Sequence, residues 1–304
     1  MDICVIGGSR YFGRRVVERL VARGHRVTVV NRGSAPAPPP AGARHVVADR
    51  DDEAGLDAAL GTLAFDAVVD QVCYTPRQAA VARRVLAPRT RRYLMTSTVE
   101  VYEHEHRPDA LVREDAVDPQ SVSVDLGLPW DRPDFLEARY GEGKRQAEAV
   151  FAQDPAVTFA AVRVAHVLGG ADDFTGRLTH YAERIRRGEP IAVPARNHPA
   201  TYIHVEEIAD LLVWAVVEAE FTGALNAASQ GVLTTGDICE AVTRRIGGGL
   251  SPVYREAEGG AVSPFSFTRA YAMDNSRATA LGYSFRPAAD WLDRAVAETL
   301  EARP

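Results

Sequence analysis

Lysine is almost absent from this chain of 304 residues. Of its 35 basic residues, Lys144 is the single lysine and all the others are arginine. Arginine therefore meets the general need for positive charge, and a compact, flexible ammonium is kept at one place only. Cysteine is scarce as well. Cys4, Cys73 and Cys239 are odd in number and far apart, which excludes a disulfide framework and a zinc spacing and predicts a reducing, cytoplasmic setting. No apolar run approaches the roughly 18–20 residues that a membrane span needs. A basic excess is also missing. The net charge of −6 argues against a dedicated nucleic-acid binder. The opening has no basic start and no small-residue cleavage site, so no secretory signal is predicted. Neither a membrane nor a nucleic acid is an expected partner.

What is present is an alternation of short apolar strands and amphipathic helices. Residues 2–6 read as a buried strand. Gly7-Gly8-Ser9-Arg10-Tyr11-Phe12-Gly13 follows as a glycine-bearing turn. Val16, Val17, Leu20 and Val21 then share a helical face, with Gly24 as a C-terminal stop. Residues 26–30 form a second strand that ends at Asn31-Arg32-Gly33. Further strands are predicted at 44–48, 66–72, 92–97 and 157–163, and helices around 78–86 and over 139–153. The pattern predicts an α/β fold with a doubly wound parallel sheet. After Arg163 the texture changes, which predicts a smaller C-terminal α/β substrate lobe over 166–304. The first domain is expected to span 1–165, with about 200–228 returning to it. Ser34–Ala43 is a Pro-rich loop. Glu103–Pro133 is long and polar, of the kind that covers active sites.

Three elements carry chemistry. The glycine turn offers a tight bend and a helix N-terminus, with its free N–H groups and positive dipole, to a pyrophosphate. Tyr140-Gly141-Glu142-Gly143-Lys144 places a phenol and the only ammonium on one helical face. A cation there favours phenolate, which suits proton exchange with an alcohol or ketone oxygen. Two glycines in one helical turn cost roughly 1–2 kcal/mol relative to alanine, which points to close approach of a ligand or a neighbouring backbone. Thr96-Ser97-Thr98-Val99-Glu100 ends a strand at the sheet edge where ligands bind.

In this order and spacing the three elements resemble the extended short-chain dehydrogenase/reductase superfamily, the NAD-dependent epimerase/dehydratase family. Arg163-Val164-Ala165-His166-Val167, Tyr202-Ile203-His204-Val205-Glu206-Glu207-Ile208-Ala209 and Leu281-Gly282-Tyr283-Ser284-Phe285-Arg286-Pro287 are similar to its later segments. The resemblance implies a Rossmann domain and a catalytic set of Thr98, Tyr140 and Lys144. Tyr140 is then the general acid/base, Lys144 lowers its pKa and holds the nicotinamide ribose, and Thr98 orients the substrate oxygen while hydride moves. Glu100, two residues after Thr98, matches a proton-transfer position of the sugar dehydratases and decarboxylases. The implied cofactor contacts are Gly7, Ser9, Arg10, Tyr11, Phe12, Gly13, Asn31, Arg32, Asp49, Arg50, Val72, Cys73 and Lys144. The implied substrate contacts are Tyr74, His166 and Arg196, and relatives often form homodimers.

The departures are informative. Arg10 replaces the middle glycine. The second strand ends in Asn31-Arg32 rather than in an acidic residue, which favours the 2′-phosphate of NADP over NAD. Ala200 stands where many nucleotide-sugar enzymes place an arginine, and Arg196 and Arg177 are candidate substitutes. Glu103-His104-Glu105-His106 is expected to be a solvated loop, with no metal. The leading expectation is therefore an NAD(P)-dependent oxidoreductase or epimerase/dehydratase acting on a sugar-like or biosynthetic small molecule. A simple NADPH-dependent ketoreductase is one alternative. A non-catalytic dinucleotide-binding sensor or RNA-associated protein is the other.

Overall fold

The apolar run at the start of the chain becomes β1 (Asp2–Ile6), buried from Ile3 onward. Helix α1 (Tyr11–Ala22) buries Val16, Val17 and Leu20, the stripe expected from their spacing. The chain continues through β2 (Arg26–Asn31), β3 (Arg44–Val47), α2 (Glu53–Leu60), β4 (Ala67–Asp70), α3 (Pro76–Val85), β5 (Tyr93–Thr98), α4 (Pro133–Ala138), α5 (Tyr140–Ala152) and β6 (Phe159–Val164). It then forms β7 (His166–Leu168), α6 (Arg177–Arg187), β8 (Ile191–Val193), β9 (Tyr202–His204), α7 (Val205–Val217), β10 (Gly223–Ala227), α8 (Thr235–Ile246), β11 (Tyr254–Glu256), α9 (Ser276–Ala280) and α10 (Ala288–Glu301). This computed structural model describes residues 1–35, 37–105, 110–257 and 262–301. No helix among the described residues is long and apolar enough to cross a membrane.

The chain divides into two units. The first holds residues 1–103, 114–164 and 209–226. Its seven-stranded sheet has the order β10-β6-β5-β4-β1-β2-β3. The pairs β1/β2, β2/β3, β1/β4, β4/β5 and β5/β6 are parallel. The direction of winding reverses between β1 and β4, and ligands of such sheets bind at the carboxyl ends of the strands beside that reversal. Strands buried on both faces read as continuous apolar runs. One face of this sheet packs Cys4, Ile6, Val68, Tyr93 and Met95 against Ala79, Ala147 and Phe151. β4 stops at Asp70, short of the expected Val72, because the Asp70 carboxylate takes the Val72 N–H (3.0 Å) and turns the chain. Helix α2 is an unforeseen element, started by Asp52, whose side chain accepts the Gly55 N–H.

The second unit holds residues 104–113, 165–208 and 227–304. It contains two small parallel pairs, β7 with β9 and β8 with β11. Its core joins Leu178, Tyr181 and Ile185 of α6 to Ile238 and Val242 of α8 and to Trp291, Leu292 and Val296 of α10.

Candidate active site

The glycine turn lies at the end of β1. Gly7 (φ 95°) and Gly8 (φ 69°) adopt left-handed backbone, and so does Tyr11 (φ 52°). A bulky residue in that region is strained by roughly 1–2 kcal/mol, and such strain collects at ligand sites. A Cβ on Gly8 would sit 2.8 Å from Val17 Cγ2, and one on Gly13 would overlap Gln71 Oε1. Arg10 occupies the N-cap of α1, and its side chain makes no capping hydrogen bond. The helix thus begins with N–H groups suited to an anion.

Asn31 ties the end of β2 to this turn. Its Nδ2 donates to Ser9 Oγ (3.0 Å), and its Oδ1 accepts from Gly33 N (2.8 Å) and His45 Nε2 (2.9 Å). His45 must therefore donate from Nε2. Sequence reading missed His45 because it lies on the neighbouring strand. Arg32 and Asp49 are exposed, and Asp49 accepts the Asp51 N–H (3.0 Å). Arg50, expected at the cofactor, is buried and bound to both oxygens of Asp70 (2.7 and 2.8 Å) and to the Gln78 carbonyl (3.1 Å). Tyr93 Oη donates to the same carboxylate. The Cys73 thiol is buried and pushed up to about 12 by that burial, which leaves no thiolate for chemistry. Val72 lies against the turn, its Cγ1 3.1 Å from a Cβ built on Gly7.

The second cluster lies at the end of β5. Thr98 closes the strand, and its Oγ1 accepts the Glu100 N–H (3.3 Å), which leaves its own proton to donate. Glu100 is half-buried in the short 3₁₀ turn that follows. Helix α5 packs directly on that turn. A Cβ on Gly141 would overlap the Glu100 carbonyl oxygen, and one on Gly143 would lie 2.5 Å from the Tyr74 carbonyl oxygen. The two glycines therefore serve backbone approach, which resolves the alternatives left by the sequence. Gly143→Ala is expected to destabilise the protein by about 1–3 kcal/mol, despite the better helix propensity of alanine, as a urea melt would read.

Lys144 is 2% exposed. Its Nζ donates to the Thr96 carbonyl (2.7 Å) and lies 4.6 Å from the Tyr74 ring centroid and 6.0 Å from that of Tyr140. The Tyr74 and Tyr140 rings are 6.2 Å apart. Phenol and ammonium thus do share one face, with Tyr74 as a third member. Burial lowers the Lys144 pKa from 10.5 to about 8. The folded protein then releases this proton above about pH 8, whereas the unfolded chain holds it to about 10.5. Stability from this group accordingly rises across that window, and below it the full cost of the buried ammonium is present. Lys144→Met should abolish this rise, measured as the difference between the two proteins in urea melts from pH 8 to 10.5.

Beneath the cluster runs a buried network that sequence reading did not assemble. Glu148, one turn after Lys144, accepts from Ser97 Oγ and pairs with Arg163 (Nη2 to Oε2, 2.7 Å). Arg163 also donates to Tyr102 Oη (2.9 Å), to the Glu114 carbonyl (2.9 Å) and to the Val117 carbonyl (3.1 Å). The signal available was an arginine inside an apolar strand. From the long loop, Trp130 is buried and packs 3.2 Å from a Cβ built on Gly143. In the acidic run, Glu103 has a carboxylate oxygen within 4.8 Å of one on Glu142, and Glu142 is engaged by Arg145 and Gln146. His106 lies outside the described residues.

In the second unit, His166 begins β7 with its ring stacked on Phe267 (5.0 Å, 10°) and flanked by Tyr202, Phe265 and Tyr271. Burial, then Arg177 and Arg269, lower its pKa to about 3, so the imidazole is neutral. Its Nε2 is buried without a partner among the described residues. Arg196 is exposed.

A glycine turn at the strand reversal of a parallel sheet, with Tyr140 and Lys144 on a helix packed against the end of β5, makes the first unit a Rossmann-type dinucleotide-binding fold. Comparison with known proteins agrees. Residues 3–84 match the family model described as NAD dependent epimerase/dehydratase family. Over 225 residues, 68% of this chain, it is 26% identical to the Arabidopsis thaliana chloroplast stem-loop binding protein of 41 kDa b. Over 87 residues, 29% of this chain, it is 36% identical to the 2′-dehydrokanamycin reductase of Streptomyces kanamyceticus. The alignments span 53% and 25% of those relatives' lengths. The fold matches the Bordetella bronchiseptica enzyme WbmG, solved with NAD and UDP, at a TM-score of 0.74 and 16% identity, covering 99% of this chain and 93% of that one.

Proposed function

We propose that the protein is an enzyme that uses bound NADP(H), or NAD(H), to exchange hydride with a secondary alcohol or ketone on a sugar-like or biosynthetic small molecule. The observation that carries this reading is the buried Lys144 ammonium, fixed to the Thr96 carbonyl and lying beside both Tyr74 and Tyr140. The Streptomyces relative is named for a reductase and the Bordetella structure holds NAD and UDP, which supports it.

The residues present fit a dinucleotide. The N-terminus of α1, whose N-cap side chain makes no capping hydrogen bond, the left-handed Gly7 and Gly8, and the Gln71 amide nitrogen without a partner among the described residues suit an anionic group. Gly7, Ser9, Arg10, Tyr11, Phe12, Gly13 and Val72 would hold its pyrophosphate side. Asn31 and Arg32 would hold the 2′ position, with His45 beside them. A bound nicotinamide supplies hydride transfer. Tyr140 moves a proton to or from the substrate oxygen, Lys144 steadies the phenolate and binds the ribose, and Thr98 donates to the substrate oxygen. Glu100 is a second proton-transfer group, and Tyr74, His166 and Arg196 contact substrate. We place the protein in the cytoplasm as a homodimer.

Mass spectrometry of the copurified dinucleotide tests the reading, and recovery of neither NAD nor NADP under saturating addition would count against it. A change in nicotinamide absorbance during turnover marks net redox, and its constancy marks epimerisation or dehydration. The NADP preference rests on Asn31 and Arg32 together. Asn31→Asp keeps an acceptor for Gly33 and His45 but sets a carboxylate beside the 2′ position. It is expected to shift the NADP(H)-to-NAD(H) affinity ratio about tenfold toward NAD(H), roughly 1.4 kcal/mol, by calorimetry. A second reading, a non-catalytic dinucleotide-binding sensor or RNA-associated protein, is favoured only by the name of the Arabidopsis relative, a stem-loop binding protein. A Tyr140→Phe protein with intact biological activity would support it.

A further inference from the structure

Gln71 follows β4 at the point where the sheet reverses its winding. Its side chain is 8% exposed. The Cβ of Gln71 lies 3.6 Å from a Cβ built on Gly7, and its Oε1 fills the space that a Cβ on Gly13 would need. The side chain thus runs from the first glycine of the turn, near its Cβ, to the last, where its amide packs on Gly13 in the first turn of α1. Its Nε2 is buried with no hydrogen-bond partner among the described residues.

A buried amide N–H₂ without an acceptor costs free energy that an apolar side chain of the same size would not. Gln71 shares the Gly7 side of the turn with the apolar Val72, and a leucine of similar size would place no unpaired donor there. A polar group in that position is explained where a ligand brings the acceptor. The turn and the helix N-terminus select a phosphate, whereas the ribose 2′ position belongs to the end of β2.

We propose that Gln71 is a cofactor-binding residue, its Nε2 donating to a pyrophosphate oxygen of the dinucleotide seated on the glycine turn. The proposal rests on the reading of that turn as a dinucleotide site. It adds a side-chain donor to a cradle otherwise made of backbone N–H groups. It also sets the apo and bound states in opposition, because the same amide weakens the empty protein and strengthens the complex.

The test is a calorimetric titration of wild type, Gln71→Leu and Gln71→Glu with NADPH and with adenosine 2′-monophosphate, alongside melting of the unliganded proteins. Gln71→Leu is expected to weaken NADPH about tenfold, to leave adenosine 2′-monophosphate binding unchanged, and to melt at or above the wild-type temperature. Gln71→Met, of equal length without the amide, gives the same result if leucine disturbs packing. Gln71→Glu sets a carboxylate against the phosphates, weakens NADPH further, and does so most at low salt. A Gln71→Leu protein that binds NADPH as tightly as wild type overturns the assignment and leaves the dinucleotide reading standing. A wild type that binds neither NADPH nor NADH overturns both.

Discussion

Tyr140→Phe is expected to lower kcat by roughly 10²–10⁴-fold, the range for loss of a positioned proton-transfer group, with dinucleotide affinity unchanged. The substitution removes one oxygen. The ring that packs 6.2 Å from Tyr74 stays, and so does the Lys144 bond to the Thr96 carbonyl. A loss confined to kcat would therefore assign a proton transfer to the Tyr140 hydroxyl. The check pairs steady-state kinetics with a fluorescence titration of NADPH. Retained turnover would remove Tyr140 from the reaction, and a parallel loss of binding would give it a positioning role instead.

Glu148→Ala is expected to be the most destabilising single change in the first unit. Arg163 and Glu148 are both fully buried, and removing one partner leaves a buried charge without its counter-ion, at about 3–5 kcal/mol. For a chain of this size that lowers the melting temperature by on the order of 10 °C. Removing both, as Glu148→Ala with Arg163→Met, should cost less than the sum of the same two single changes, because neither charge is then left alone. Calorimetric melting of the four proteins measures this coupling. Additive losses would mean that the two groups do not support each other. Catalysis is expected to suffer too, because Glu148 holds Ser97 next to Thr98 and Arg163 holds Tyr102 in the turn that carries Glu100.

What could be read from the sequence was local. The glycine turn and α1 follow from residues within a few positions of one another, and Lys144 stood out because nothing else in the chain is lysine. What could not be read was pairing across distance. Arg50 looked like a basic residue at a strand end, open to a ligand. Its partner Asp70 is 20 positions away, and no pattern near Arg50 announces it. Glu148 with Arg163, and Gln71 with Gly13, are hidden for the same reason, since their contacts depend on how strands and helices are laid side by side. The glycines of α5 lie between these cases. Their cost was visible, but its recipients, the carbonyls of Glu100 and Tyr74, needed coordinates. His45 beside Asn31 likewise comes from strand pairing rather than from the end of β2 alone.

The most direct test is the structure of the protein crystallised with NADPH. The account predicts the pyrophosphate on the Gly7–Gly13 turn, the nicotinamide ribose within hydrogen-bond reach of Lys144 Nζ, and the Tyr140 hydroxyl facing the nicotinamide. A dinucleotide seated elsewhere, or one bound with Tyr140 and Lys144 turned away from its nicotinamide, would contradict it.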